Sequence, residues 1–356
     1  MKNKLSSHIV EFHIAQSFPV STLNRDDVGA PKTAVVGGVV RARVSSQAWK
    51  RQIRLAMQNL GAKLAYRSKK MDILLADKLK AHGVDEEKAL KSATAIMSKI
   101  GDSTILFISD NELERLANRM IEVDLDAAKI KDAEFKKLFK NFEPSLDGLD
   151  IALFGRMVAK VNDLSVEGAT SYNHPISTHI IENDIDFFTA VDDFKTDEET
   201  GSAHLGANEF NSATYYRYIS INLGVLAETL FGDSEVDIDL INRAIDYFTK
   251  ALFIAVPFAR QNTLAAYCPW DFAKVYVRKG QNLQLSFDKP VTLEKGNSSG
   301  YSEPTIQRIK SELELKSKIS GSLFGEIASF EIGQDPNYNI DSLVEDLKAT
   351  IGAING

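Results

Sequence analysis

Residues 34–61 read AVVGGVVRARVSSQAWKRQIRLAMQNLG, and the character of the sequence changes midway through this stretch. The β-branched residues up to Val44 favour a strand, in which Gly37-Gly38 indicates a bulge or a close backbone approach. Ser45-Ser46 is typical of a helix N-cap, and Gly61 is typical of a helix end. The stretch therefore predicts a strand that leads directly into a helix running to about Leu60.

This predicted helix has an apolar face and a basic face. At about 100° per residue, one face collects Trp49, Ile53, Ala56, Met57 and Leu60. The neighbouring face collects the polar residues Gln47, Lys50, Arg51 and Arg54, and no acidic residue occurs between Arg41 and Arg54. Cations beside the free amide groups of a helix N-terminus suit a phosphate. The alternative is an ordinary solvated helix face.

The rest of the chain mixes predicted strands and helices without a regular βαβ alternation. An α+β fold is therefore favoured over a doubly wound parallel sheet. The predicted strands cover residues 8–18, 215–223 and 272–278, together with a buried strand or strand end at 150–157. The predicted helices cover about residues 239–256, 305–318 and 340–351.

Two further segments have a distinct character. From about Ala62 to Glu143, periodic apolar residues mix with many charged ones, which predicts an insertion of several short helices. A separate domain is the alternative for this part of the chain. Residues 186–194 and 203–210 flank an acidic turn at 196–201, and this pattern predicts a hairpin-like arm.

Composition limits the class of protein. A chain of 356 residues with 44% hydrophobic residues can form one large domain or two domains. A single cysteine, Cys268, excludes an internal disulfide and a cysteine metal cluster, and we expect a cytoplasmic protein without a membrane segment. The net charge of −7 argues mildly against nucleic acid, although a local basic stripe can still bind RNA.

The sequence carries no recognisable catalytic motif. It has no glycine-rich phosphate loop, and His174 and His179 have poor spacing for a shared metal. Asp26-Asp27 beside Arg25 suits either a general base or metal ligand, or an acidic loop that orders the arginine. We therefore predict no catalytic residue, no metal and no cofactor, and do not expect an enzyme.

Five stretches, spread over about residues 8–280, carry a resemblance to a known family. They are Leu23–Asp27, Gly37–Arg51, Asp150–Met157, Asp184–Asp193 with Gly201–Gly206, and Tyr216–Leu223. Together they resemble the backbone subunit (the CasC family, in the RAMP superfamily) of the type I-E CRISPR effector complex Cascade.

The resemblance implies a modified RRM-like (ferredoxin-like) palm with a helical finger insertion and a β-hairpin thumb. On this chain the palm would comprise residues 1–61 and 150–356, and the finger residues 62–149. The thumb would lie at about 184–214, and the C-terminal helices would complete the palm. After about Asp288 the sequence matches the family poorly, so nothing is carried over there.

The resemblance also implies partners. About six copies would line one CRISPR guide RNA (crRNA), hold it for pairing with a target DNA strand, and join other Cascade subunits, with no membrane contact. The RNA-binding candidates are Arg25, Lys32, Arg41, Arg43, Ser45, Gln47, Lys50, Arg51, Arg54, Thr170 and Phe210. Val39 and Val40 stand where some relatives are more basic, and Thr170 replaces a bulkier residue.

Two other functions remain open at this level. A backbone subunit of the type III kind would cleave RNA with a loop aspartate, for which Asp26 or Asp27 is the candidate. A free-standing single-stranded RNA-binding protein would stack bases on exposed aromatic residues of its sheet. Tyr216 and Tyr218 are more simply explained as core, and ordinary hairpin packing is the alternative for Phe210.

Overall fold

The computed structural model describes residues 3–101, 104–139, 147–190, 204–232, 234–257, 259–293 and 300–356. The strands are β1 His8–Ser21, β2 Thr33–Val36, β3 Val39–Ala42, β4 Tyr66–Ser68, β5 Leu106–Ile108, β6 Thr170–Tyr172, β7 Ile176–Ser177, β8 Asp184–Ala190, β9 His204–Asn222, β10 Phe272–Lys279 and β11 Glu326–Ile332. The α-helices are α1 Ser46–Asn59, α2 Met71–Ala81, α3 Glu86–Ile100, α4 Asp110–Glu122, α5 Asp132–Leu138, α6 Leu149–Phe154, α7 Leu223–Phe231, α8 Ile238–Ile254, α9 Gln261–Leu264, α10 Ser302–Ser320 and α11 Ile340–Asn355.

The central sheet has the strand order β11-β10-β1-β9-β6, and β7 and β8 also pair with β9. All of these pairings are antiparallel, and Phe12 of β1 lies between Ile219 of β9 and Val275 of β10. The four strands β10-β1-β9-β6 stand in chain order 4-1-3-2, with α1 and α8 in the two crossover connections. This is the βαββαβ arrangement of ferredoxin-like and RRM-like folds, so the predicted α+β class is confirmed.

Both faces of the sheet are covered. Phe12, Ile219 and Val275 face the core formed with α1 and α8, where Trp49 and Phe248 are buried. The opposite face carries aromatic residues that are buried by α10 and by the segment 283–291. These residues form a second hydrophobic cluster, which includes Tyr216, Tyr218, Tyr276, Leu285, Phe287 and Ile309. Tyr216 and Tyr218 are thus core residues, as predicted.

The part of the chain between β4 and α5 has a hydrophobic core of its own. Helices α2, α3, α4 and α5 contribute Leu75, Ile96, Leu116 and Phe135 to it, and β4 and β5 form a short hairpin beside them. A buried ion pair connects this part to the segment after α6, since Glu112 Oε1 lies 2.8 Å from Arg156 Nη1. The helical character matches the prediction, and the boundaries at 61 and 149 stay predictions.

The hairpin arm is also present. Strand β8 pairs with β9 from Asp184 opposite Phe210 to Ala190 opposite His204. Strand β9 spans 19 residues, so the same strand builds the arm and then continues into the central sheet. The predicted acidic turn at 196–201 lies outside the described residues.

Two predicted strands were wrong. Residues 150–157 were expected as a strand, but α6 covers Leu149–Phe154 and ends at Gly155, whose φ is +80°. A short apolar run does not distinguish a buried strand from a buried helix. Residues 34–44 form a hairpin rather than one bulged strand, because Gly37 and Gly38 both have positive φ and make a two-residue turn between β2 and β3.

Some elements carried no clear sequence signal. Strand β11 adds an edge to the sheet beside β10, and α7 follows β9 without a break. The helices predicted at the C-terminus are present as α10 and α11. Across the described ranges, no helix has both the length and the apolar character needed to cross a bilayer.

Candidate nucleic-acid interface

The loop that carries Arg25 is fixed to the start of α1 by backbone and amide contacts. Asn24 Oδ1 accepts a hydrogen bond from Ser45 N at 2.9 Å, and Asn24 O accepts one from Lys32 N at 2.9 Å. Arg43 N in turn donates to Lys32 O at 2.8 Å. These contacts place Lys32, Arg43 and the N-terminus of α1 side by side.

A small pocket of about 270 Å³ forms at this junction. It is lined by Asp26, Asp27, Lys32, Thr33 and Arg43. One carboxylate oxygen of Asp26 accepts from the amides of Val28 and Ala30, so this side chain shapes its own loop. In the described part of the chain, acidic, histidine and cysteine side chains nowhere form a group of three that could hold a metal ion.

Helix α1 presents a polar face whose members differ in exposure. Ser45 is buried, and its hydroxyl accepts from Ala48 N at 3.2 Å, so Ser45 caps the helix. Gln47 and Arg51 are exposed. The ammonium of Lys50 lies 4.8 Å from the centre of the Tyr172 ring, and partial burial lowers the pKa of Lys50. The helix therefore offers an amide, a guanidinium and a positioned ammonium, beside first-turn amides that lack intrahelical acceptors.

Arg54 shares the helix face but is bound within the protein. Its Nε lies 2.6 Å from Oδ2 of Asp150, a fully buried carboxylate, and its Nη2 donates to Ala65 O. Its guanidinium also lies 5.3 Å from the centre of the Phe107 ring. Arg54 therefore has a structural role, and its contact with RNA stays a prediction.

Arg41 is the second arginine that the structure turns inward. It is fully buried, and its guanidinium donates to Ser177 O at 2.7 Å and to Phe287 O at 3.2 Å. Arg43 lies just beyond the end of β3, and its surroundings differ from those of Arg41. The side chain of Arg41 has no accessible donor in this structure, and its contact with RNA stays a prediction.

Arg43 remains at the surface. It is half-buried, and its Nη1 lies 3.2 Å from Nδ1 of His174. Its Nε donates to Thr33 O at 3.4 Å. The guanidinium of Arg43 is thus held at the edge of the pocket, within reach of an incoming anion.

The remaining predicted residues have separate locations. Arg25 is exposed on the loop beside the pocket. Thr170 is buried in β6, and its hydroxyl donates to Leu153 O at 2.5 Å, so it connects β6 to α6. Its contact with RNA stays a prediction. Phe210 is half-buried at the root of the arm, opposite Asp184. The structure thus groups Lys32 with Arg43 and groups Gln47 with Lys50 and Arg51.

Several important residues were not recognised from the sequence. Asn24 accepts a hydrogen bond from Ser45 N, the Tyr172 ring contacts the ammonium of Lys50, and Asp150 forms an ion pair with Arg54. Arg217 lies fully buried beneath α1 with its guanidinium 3.5 Å from the centre of the Trp49 ring, and burial lowers its pKa to about 9. Asn24, Asp150 and Arg217 lie within the matching stretches, and this is the sequence signal that could have drawn attention to them.

Comparison with known proteins shows which family and which solved structures this chain resembles. Residues 10–332 match the family described as CT1975-like protein. A chain of a solved "CRISPR RNA-guided surveillance complex, pre-nicking" is 26% identical, with a TM-score of 0.78, over 97% of this chain and 100% of that chain. A chain of another "CRISPR RNA-guided surveillance complex" is 24% identical, with a TM-score of 0.61 and 98% coverage of each chain, which supports the fold alone. No curated protein sequence matches significantly.

Proposed function

The chain belongs to the CT1975-like protein family, and we propose that it is a crRNA-binding backbone subunit of a type I-E Cascade surveillance complex. One observation carries this proposal. The chain resembles, over 97% of its length, a chain of a CRISPR RNA-guided surveillance complex at 26% identity. The resemblance noted in the sequence agrees with it, and the basic surface at α1 supplies the required chemistry.

The chemistry of this surface suits a guide of any sequence. Arg25 and Arg51 are exposed, and Lys32, Arg43 and Lys50 are half-buried at the surface. Lysine and arginine side chains neutralise phosphates, which fixes the position of a nucleic acid without reading its bases. A subunit that holds many different spacers must bind in this way, because base pairing reads the sequence.

The arm supports assembly into a filament. Ile185 and Phe187 project from the same face of β8 and are 55% and 70% exposed. Apolar side chains clustered on a protruding hairpin mark a surface that a partner covers. We propose that the arm contacts a neighbouring copy, that about six copies line one guide, and that the filament presents the guide to target DNA beside other Cascade subunits in the cytoplasm.

We further propose that the chain is not an enzyme. The carboxylate of Asp26 is engaged by two amides of its own loop, and Lys32 and Arg43 line the same pocket as Asp27. If the protein were a nuclease, guide or target RNA would be cleaved with magnesium, and Asp27→Ala would abolish the cleavage. We expect intact RNA with both the wild type and Asp27→Ala on denaturing gels.

A free-standing RNA-binding sheet is the weaker candidate. Such a protein needs exposed aromatic residues on the sheet, but Tyr216, Tyr218 and Tyr276 are buried beneath α10 and the segment 283–291. Bases cannot stack on this face without displacement of that cover. The basic surface at α1 therefore remains the better site.

Native mass spectrometry with guide RNAs of increasing length tests the proposal. We expect the mass to rise by one protomer for each fixed RNA increment. The double variant Lys50→Glu/Arg51→Glu should lose this assembly, because it reverses two charges at the proposed phosphate surface. The matched control is Lys316→Glu/Lys318→Glu, which makes the same charge change on the exposed side of α10. One protomer per RNA of any length, or equal assembly of both double variants, would contradict the proposal.

A further inference from the structure

His174 occupies a rigid position beside the basic pocket. Its neighbour Asn173 is buried and is held to β9 by two hydrogen bonds. Asn173 N donates to Tyr218 O at 3.1 Å, and Asn173 Oδ1 accepts from Tyr218 N at 2.9 Å. Its other neighbour, Pro175, accepts a hydrogen bond from Val44 N at 2.9 Å, and a residue before proline has restricted backbone angles. The exposed imidazole of His174 therefore projects from a fixed backbone.

The contact with Arg43 defines the protonation state of this imidazole. Arg43 Nη1 lies 3.2 Å from His174 Nδ1. An arginine is always protonated and only donates, so Nδ1 must accept and the ring proton must sit on Nε2. His174 is thus neutral while this contact is made. Partial burial and the charges of Arg43 and Lys32 lower the pKa of His174.

The surroundings of His174 suit an anion. Lys32 and Arg43 line the pocket together with Asp26 and Asp27. One oxygen of Asp26 is already occupied by backbone amides. After burial, the charges of Arg43 and Lys32 are the influences that lower the pKa of His174. Lys32 and Arg43 line the pocket and His174 contacts Arg43 at its edge, without a carboxylate bound to any of the three in a described contact.

We infer that His174 joins Lys32 and Arg43 in one phosphate subsite, and that it takes up a proton when an RNA phosphate binds there. This inference rests on the proposed function, because the phosphate is that of the guide backbone. Arg43 would turn its Nη1 from the imidazole to the phosphate. The freed imidazole, once protonated, would donate to the same anion. In this way each of the three side chains contributes a charged donor.

The proton uptake gives binding a definite pH dependence. In the free protein the pKa of His174 is lowered, whereas a bound phosphodiester monoanion raises the pKa of an adjacent imidazole. Protons are therefore bound on association, and the affinity must increase as the pH falls through the interval between the two values.

Binding of a rhodamine-labelled oligouridylate tests the inference, since uridine does not titrate in this range. At constant ionic strength, we expect the wild type to bind roughly three- to tenfold more tightly at about pH 5.5 than at about pH 7.5. His174→Gln should show less than about a twofold change, and His174→Lys should bind tightly at both pH values. The control His82→Gln makes the same substitution at an exposed histidine of the helical part and should keep the wild-type pH dependence.

Each outcome has a distinct meaning. An unchanged pH dependence in His174→Gln overturns the subsite, while leaving the proposed function intact. The subsite is likewise overturned, with the proposed function intact, if His174→Lys binds RNA no more tightly than His174→Gln at either pH. If the wild type binds no RNA at either pH, the proposed function itself fails, and the inference fails with it.

Discussion

At the scale of single residues, the two glycines of the β2–β3 turn are not equivalent. A Cβ on Gly37 would lie 1.8 Å from the backbone oxygen of Asp288, whereas a Cβ on Gly38 would meet nothing within 4 Å. Both residues have positive φ. Gly38→Ala should therefore cost about 1–2 kcal/mol of backbone strain, and Gly37→Ala should cost more than about 3 kcal/mol through the clash. Urea denaturation measures both, and equal costs would contradict the close approach to Asp288.

His13 provides a prediction for stability in acid. It is fully buried, its Nδ1 lies 2.9 Å from the hydroxyl of Tyr216, and burial with the charge of Arg278 lowers its pKa to about 3. The pKa of His13 is lower in the folded state than in the unfolded state. Its contribution to the free energy of unfolding is therefore complete above about pH 6.5 and is lost as the pH falls. We expect the free energy of unfolding to decrease by about 1 kcal/mol per pH unit below that point.

The variant His13→Phe isolates this contribution. It keeps an aromatic ring among Tyr216, Tyr218 and Tyr276 but cannot bind a proton. Its unfolding free energy should fall less steeply between about pH 6.5 and 5 than that of the wild type. A slope equal to that of the wild type would mean that His13 is not held neutral by the fold. The pKa of the buried His179 is also lowered, so part of the slope of unfolding free energy against pH should remain in His13→Phe.

The residue scale is also where the sequence was least informative. Arg41, Arg43 and Arg54 have the same chemistry in one basic stretch, but Arg41 is fully buried and Arg54 is paired with a buried carboxylate, whereas Arg43 lies at the edge of the pocket. The partners of Arg41 and Arg54, Ser177 and Asp150, are distant in sequence. No local pattern records such a contact, so the basic character was predictable and the accessibility was not.

At the scale of elements, α1 should separate binding from stability. Lys50 and Arg51 face the proposed RNA surface, whereas Arg54 is paired with Asp150. Neutralising a phosphate contact reduces the salt dependence of binding by about one unit, so Arg51→Gln should weaken RNA binding and lower the slope of log Kd against log salt. Its unfolding free energy should change by less than about 0.5 kcal/mol.

Arg54→Gln is the matched control on the same helix. It leaves Asp150 buried without its counterion, which should cost about 3 kcal/mol in the free energy of unfolding. Its salt slope for RNA should remain that of the wild type at temperatures where it is folded. If Arg54→Gln lowers the salt slope as much as Arg51→Gln does, Arg54 contacts phosphate after all.

Elements with a strong periodic signal were predicted well, and elements without one were not. The serine caps and apolar spacing of α1 gave its bounds to within a residue or two. Residues 149–154 form one and a half turns of buried helix, which leaves too few residues for a period to appear. Strand β11 has an exposed edge with partly buried side chains, and its pairing with β10 depends on tertiary contacts that the local sequence does not specify.

At the scale of the whole molecule, the described chain contains a sheet-centred core and a helical core, and a buried ion pair connects α4 to the segment after α6. Glu112 of α4 and Arg156 after α6 are both buried, and Arg156 also donates to Phe107 O and Leu164 O. Removal of the charge of Glu112 would leave the guanidinium buried without a counterion. This pair was not predictable, because its two members lie on opposite sides of the predicted boundary at 149.

Glu112→Gln should therefore destabilise the helical core more than the sheet. We expect a loss of about 3 kcal/mol, because an unpaired buried charge is costly. In hydrogen exchange, amides of α2, α3 and α4 should lose protection, while those of β1 and β9 should keep most of theirs. Glu122→Gln makes the same change at an exposed position of α4, where only a surface pair with Arg119 is lost, and should cost less than about 1 kcal/mol. If protection falls equally in both cores, they unfold as one unit, and the predicted helical insertion is not an independent part of the molecule.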